Sequence, residues 1–317
     1  MAKKSSPKRR FRWWKAKLFL ALNLLLLVAG GGWYLVQPAS RQAEVRMLLG
    51  NYAKQNRRIS LFDIARDIYT LYYSDAYVAT DFVGGENPVY AGNPVPETFD
   101  KHIRVLKNRA YVVGYCDELK NPAWVAYRLV NVPGDPEVGE RPPGFDTDRR
   151  TVARVTQQDY TGSGYDRGHL APNFGIAHCF GREAQLETFL MSNIVPQKHG
   201  MNAGPWKKLE LREALNYTGR FEEVWIIAGP LFHGEQKRMK SGVPIPNACY
   251  KIQVDEHEGK LRMQAFIMSQ DVAENASLSV MLTTVDEVEK LSGLDFFPDL
   301  PDDVEEKLEA ATPTRVW

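Results

Sequence analysis

The apolar positions of this chain change period twice. From Leu18 to Val36 the sequence is apolar throughout, with Asn23 the one strongly polar side chain. Nineteen residues rising 1.5 Å each make a helix of about 28 Å, close to the hydrocarbon thickness of a bilayer. Trp13 and Trp14 at one end, with Trp33 and Tyr34 at the other, suit the two interfaces. From Ala43 to about Ala79 the period becomes helical, with Leu61, Ile64, Ile68 and Leu71 at three- and four-residue steps. This stretch reads as a stalk, or alternatively as a helix packed onto the main domain. Gly84, Gly85, Pro88, Gly92 and Pro94 then mark a loop-rich entry.

Beyond it the pattern is mixed. The runs RAYVVGY, AWVAYRLV, VWIIAGPLF, CYKIQV and LRMQAFIM are rich in β-branched and aromatic residues and predict strands. Between the second and third runs, Pro205 is suited to a first helical position, and Trp206 to about Tyr217 continues with helix formers until Gly219. Val285–Leu291 and Asp303–Ala311 predict a last helical pair around GLDFFPDLP. The expected organisation is a basic tail (1–17), an anchor or signal segment (18–36), a linker and helical stalk (37–81), and an α+β domain (82–317).

Charge sharpens the picture of the N-terminus. Eight of the 40 Lys and Arg lie in residues 1–17, leaving 32 against 39 Asp and Glu, so the remainder carries −7. A basic tail before an apolar helix places the N-terminus in the cytoplasm and the domain outside it, in a periplasmic or extracellular space. The rival is a cleaved signal peptide, with Ala29 to Gly32 as cleavage sites and a secreted product. The apolar run continues past those glycines, which favours the anchor. A domain with net negative charge does not advertise nucleic-acid binding, so any affinity for phosphate must come from a local basic site or a bound cation. Cys116, Cys179 and Cys249 are too few and scattered for a disulfide framework; two of them pairing and three buried thiols are both open.

The densest chemistry runs from Tyr165 to Glu210, as YDRGHLAPN and then SNIVPQKHGMNAGPWKKLE. His169 can take a proton from water near neutral pH. Arg167 can clamp a phosphate oxygen. Asn202 offers a hard neutral oxygen suited to Mg²⁺, and Glu210, two helical turns on, can hold the ion or its water. A cation stabilises the leaving oxygen, so no nucleophilic side chain is needed. Each residue alone has a structural reading: a core histidine, a surface Asp166–Arg167 ion pair, a core Trp206. Glu210 shares the Trp206 face of the helix, where a carboxylate needs a partner.

Asp166-Arg167-Gly168-His169, then Asn193-Ile-Val-Pro-Gln197, then Asn202-x-x-x-Trp206-x-x-x-Glu210 strongly resemble the DNA/RNA non-specific endonucleases, ββα-metal nucleases that include endonuclease G. The resemblance runs from about Tyr90 to Glu309. It implies an α+β nuclease core with a ββα-metal motif, acting on DNA and RNA with little sequence preference. It implies His169 as general base, and Asn202 as the direct ligand of a hydrated Mg²⁺ for which Mn²⁺ can substitute. Glu210 would bind metal-held water, Arg167 phosphate, and Asp166 would orient the site. Asn193 would support the metal-site geometry, and Arg141 sits where the family often has a further phosphate-binding arginine. One departure stands out: the arginine often found four residues beyond the helix glutamate is Ala214 here.

Two rival readings remain. A zinc site from His169, His178, Cys179 and His199 fits no regular zinc spacing. A membrane-anchored nucleic-acid-binding or scaffold protein with an inactive nuclease fold agrees with the −7 charge but not with an intact His169, Asn202 and Glu210. The sequence leaves the oligomeric state open.

Overall fold

The computed structural model describes residues 13–54, 59–134 and 138–317. Most of the basic tail, residues 1–12, lies outside them. The chain divides into two compact units, Met1–Gly50 and Asn51–Trp317.

In the first unit, α1 (Trp13–Leu35) covers the expected apolar segment. It is long and apolar enough to cross a membrane, and its leucines from Leu18 to Leu27 are exposed. Helix α2 (Ala39–Lys54) follows, and the division between units falls inside it.

The second unit begins with the end of α2 and then α3 (Leu61–Tyr73), which starts at a capping box between Ser60 and Asp63. The stretch expected as a stalk therefore falls partly inside the compact domain. Asp67 on α3 holds Arg220 through two hydrogen bonds of 2.6 and 2.7 Å, with both side chains almost fully buried.

The strands are β1 (Val78–Ala79), β2 (Val95–Pro96), β3 (Arg104–Lys107), β4 (Tyr111–Cys116), β5 (Asn121–Val130), β6 (Asp166–His169), β7 (Ile194–Gln197), β8 (Glu223–Leu231), β9 (Ala248–His257), β10 (Lys260–Ser269), β11 (Leu282–Thr283) and β12 (Leu294–Asp295). The main sheet has the order β1-β10-β9-β8-β5-β4-β3, antiparallel at every junction, with β11 added to β10. Its five long members are the five predicted strands.

These strands read as continuous apolar runs because both faces of the sheet are covered. On β5, Val125, Tyr127 and Leu129 enter one core while Trp124 and Ala126 enter the other. The first core is closed by Met201, Trp206, Leu209 and Tyr217, which belong to the segment after β7. The second is closed by α8 (Val285–Ser292), through Val285 and Val288, and by α9 (Asp302–Glu309), through Val304 and Leu308. Burying this much apolar surface on two faces is the dominant stabilisation, at roughly 25 cal/mol per Å².

Helix α4 (Asn173–Glu187) lies between β6 and β7, and the segment after β7 departs from expectation. Helix begins at α5 (His199–Met201) and continues through α6 (Lys207–Arg212) to α7 (Thr218–Phe221), joined by two wider π-turns, Asn202–Trp206 and Glu213–Tyr217. Pro205 therefore lies inside the first π-turn and not at a helix start. Proline removes a donor from an ordinary α-turn, and the non-helical ψ of −112° at Gly204 relieves the break. Only glycine fits there, since a Cβ would lie 2.4 Å from the Glu274 carbonyl oxygen.

All three cysteines are free thiols. Burial pushes the Cys116 thiol up to about 11 and the Cys249 thiol up to about 12, so both behave as buried apolar groups.

Candidate active site

A separate two-stranded antiparallel sheet, β6 with β7, carries the chemistry. Asp166 pairs with Gln197 and His169 with Ile194. Gly168 faces Val195 in this register, and a Cβ on it would fall 2.1 Å from the Gln197 side-chain oxygen. The glycine of Asp-Arg-Gly-His is thus required by a close approach across the strands. With the helical segment that follows, β6 and β7 form a ββα unit on the first core. Trp206 ties its parts together, donating from Nε1 to the His169 carbonyl at 3.1 Å. The spacing from Asn202 through Trp206 to Glu210 follows from this anchor: Trp206 is buried, and its neighbours one turn before and after line the cleft.

That cleft, of about 390 Å³, is lined by Arg141, Arg167, His169, Asn202, Lys207 and Glu210 among others. It brings together all but two of the residues singled out by sequence, the exceptions being Asp166 and Asn193. Asp166 stands beside it, bonded to one of its lining residues. Its Oδ2 accepts from Asn202 Nδ2 at 2.9 Å and contacts His199 Nδ1 at 2.8 Å. The first bond turns the Asn202 Oδ1 away from Asp166, leaving that hard oxygen for another partner. Asn202 opens a π-turn, a distortion that recurs at functional sites because it re-aims one side chain out of helical register.

Asn193 is fully buried and fully engaged. Its Oδ1 accepts from Ala171 N at 2.8 Å, and its Nδ2 donates to the carbonyls of Ala171 and Thr188 at 3.0 and 2.9 Å. It braces the chain leaving His169 and has no atom left for a ligand.

His169 lies between Phe145 and Phe189, with ring centroids 5.4 and 5.0 Å away. The residue reaches the cleft, yet its Nε2 is sealed from solvent and has no partner among the described residues. Burial, and then the Arg141 guanidinium, push its pKa down to about 3, so the ring is neutral at pH 7. Glu210 shows the opposite shift. Burial pushes its carboxyl up to about 7, with Lys251 and Trp206 opposing and Glu213 reinforcing. Its Oε1 is also buried without a partner. Buried polar atoms are rarely left unmatched, and such atoms inside a cleft can serve a ligand or ion.

Arg167 is held by its Nε and Nη2, which donate to the Gln157 carbonyl at 3.2 and 2.6 Å. It lies over Phe145 and Tyr160. Arg141 lies over the Phe189 ring at 5.5 Å. Both arginines also line an adjoining cleft with Phe145, Gln157 and Phe189, so a basic path leads away from His169. Lys207 lines the main cleft, whereas Ala214 is buried in the core.

The candidate zinc residues do not converge. His199 is engaged with Asp166, and His178 stacks on Phe174 at 6.1 Å. Sequence reasoning missed the aromatic walls Phe145 and Phe189, which have no local signal. It also missed the buried network of Lys251, Glu213, Tyr127 and Gln253 beneath the helix.

The profile of the DNA/RNA non-specific endonuclease family matches residues 93–303, which include the whole ββα unit. The chain belongs to this family. The mitochondrial nuclease EXOG of Xenopus laevis is 35% identical over 164 residues, 47% of this chain and 45% of that protein. Mitochondrial endonuclease G of Homo sapiens is 29% identical over 211 residues, 62% of this chain and 70% of that protein. A nuclease of Nostoc sp. is 31% identical over 234 residues, 68% and 81% of the two chains. A chain in the crystal structure of the EndoG/EndoGI complex is similar with a TM-score of 0.57 at 27% identity, covering 62% of this chain and 86% of that one. The matches to EXOG of Xenopus laevis, Mus musculus and Homo sapiens span less than half of those proteins' length. In this chain the aspartate of the Asp-Arg-Gly-His motif accepts a hydrogen bond from the Asn202 amide.

Proposed function

We propose that this chain is a metal-dependent endonuclease that hydrolyses phosphodiester bonds of DNA and RNA with little sequence preference, held at a membrane by α1. The observation that carries the reading is the pair of partnerless buried atoms, His169 Nε2 and Glu210 Oε1, in one cleft with the freed Asn202 oxygen.

These donors fit a hard cation. A neutral amide oxygen and one carboxylate suit Mg²⁺, or Mn²⁺ in its place, because such ions keep most of their waters. Asn202 would hold the ion directly, and Glu210 would hold its water. Such an ion supplies charge stabilisation at the phosphate and leaving oxygen. The protein does the remainder. His169, kept neutral, takes the proton of the attacking water. Arg141 and Arg167 bind phosphate oxygens, while Asp166 orients Asn202 and Asn193 braces the strand exit. Contacts of this kind read the backbone and not the bases, which supports low sequence preference.

Plasmid nicking with and without EDTA tests the reading. Activity should vanish in excess EDTA and return with Mg²⁺ or Mn²⁺. His169→Ala should lower the rate about 10²–10⁴-fold with the fold retained. Full activity in EDTA, or in folded His169→Ala protein, would overturn it. A binding protein with an inactive fold would retain DNA but leave the plasmid uncut in every arm.

A further inference from the structure

The face of the sheet opposite the ββα unit carries a cluster of carboxylates, one of them with a buried, partnerless oxygen. Asp286 and Glu289 on α8 and Glu309 at the end of α9 place carboxylate oxygens within 4.8 Å of one another. Oxygen ligands stand about 2.3–2.6 Å from Ca²⁺, so ligands on opposite sides of one ion are roughly 5 Å apart. Three oxygens at this spacing can surround a single ion.

Acidic side chains that gather on a surface usually point into water; Asp286 is exposed and Glu289 half-buried, but Glu309 is buried. Glu309 is 6% exposed, and its Oε1 is sealed from solvent with no hydrogen-bond partner. Glu289 is fixed by the Phe296 N–H, which donates to its Oε1 at 2.8 Å. Asp295 and Glu305 add further negative charge around Glu309. No lysine or arginine among the described residues forms an ion pair with any of these five acids. The basic residues on the two helices are held elsewhere, Lys290 by Glu287 at 3.3 Å and Lys307 by Asp303 at 3.4 Å. A buried carboxylate left unpaired is unfavourable, and a cation beside it offsets that cost.

We propose that Asp286, Glu289 and Glu309 bind one hard divalent cation of calcium-like coordination, which clips α9 to α8. An all-carboxylate set with flexible spacing suits Ca²⁺ better than Mg²⁺, which demands octahedral ligands at about 2.0–2.1 Å. The ion lies across the sheet from His169, so its role is to hold the C-terminal helix and not to take part in hydrolysis.

Full-length protein stripped with EDTA and titrated with Ca²⁺ by calorimetry tests this. To remove overlap with the catalytic cleft, the titration is run on Asn202→Ala protein with and without Glu309→Gln. One Ca²⁺ per chain should bind to Asn202→Ala and none to the double variant, and saturating Ca²⁺ should raise the Tm of the first alone by about 5 °C. Asp286→Asn, an exposed change that cannot unfold the core, should weaken binding at least tenfold. Glu309→Gln by itself should keep full nicking activity in excess Mg²⁺. No Ca²⁺ binding in folded Asn202→Ala protein, or binding unaffected by Glu309→Gln and Asp286→Asn, overturns the proposal. The carboxyl groups would then share protons instead.

Discussion

Lys251→Met is the substitution whose effect the structure specifies most fully. Lys251 Nζ donates to Glu213 at 2.9 and 3.2 Å and to the Tyr127 hydroxyl at 2.9 Å. Both partners of the ion pair are 0% exposed, and Gln253 donates to the same Glu213 carboxylate at 2.5 Å. At 2.9 Å and an effective dielectric near 20, the attraction is about 6 kcal/mol before desolvation is subtracted. Removing one partner leaves Glu213 charged and buried, which costs about 3–5 kcal/mol. Typical total stability is 5–15 kcal/mol, so the variant should be marginal. Glu213→Gln should be destabilising for the same reason. In the double variant no charge is stranded, and most of the loss should return, giving a coupling energy of at least about 2 kcal/mol. Urea unfolding followed by tryptophan fluorescence measures this, since Nζ sits 4.8 Å from the Trp206 ring. Single-variant losses that simply add in the double variant would refute the account of a buried, charge-matched pair. Lys251 also lowers the Glu210 pKa through space, so the folded Lys251→Met protein should need higher pH to reach half-maximal Mg²⁺-dependent activity.

Three further outcomes are expected. Asp166→Asn replaces the acceptor of the Asn202 amide by one that can also donate, so the apparent Mg²⁺ requirement should rise at least tenfold with little change in urea midpoint; an unchanged requirement would remove Asp166 from the orienting role. His169 is neutral when folded, with its pKa pushed down to about 3, so its stabilisation is complete above pH 6.5 and is lost as pH falls through 6.5 toward 3. Between pH 7 and 5 in EDTA, wild type should therefore lose about 1–2 kcal/mol more than His169→Ala, and parallel losses would contradict the buried neutral ring. Finally, full-length protein should fractionate with membranes while a chain starting at residue 42 is soluble and active; protease on the extracytoplasmic side should digest the domain, and protection there would reverse the topology.

Local pattern was enough for much of this protein. The five long strands, α8, α9 and the apolar α1 were legible because each depends on the period of its own residues. His169, Asn202, Trp206 and Glu210 were singled out through the motif resemblance, and the structure brings His169, Asn202 and Glu210 to one cleft with Trp206 buried beside them. What the sequence did not carry is everything that depends on contacts between distant segments. The π-turn at Asn202 carries Gly204 against the backbone of Glu274, seventy residues later, where only glycine fits. The inclusion of α3 in the catalytic domain rests on Asp67 meeting Arg220. Phe145 and Phe189 enclose the His169 ring, and the loop of Phe145 is tied down through Asp146 pairing with Leu190. The sequence alone determined which chemical groups are present and on which elements they ride. The tertiary structure decided which are buried without partners, because desolvation is a property of packing and not of any local run of residues.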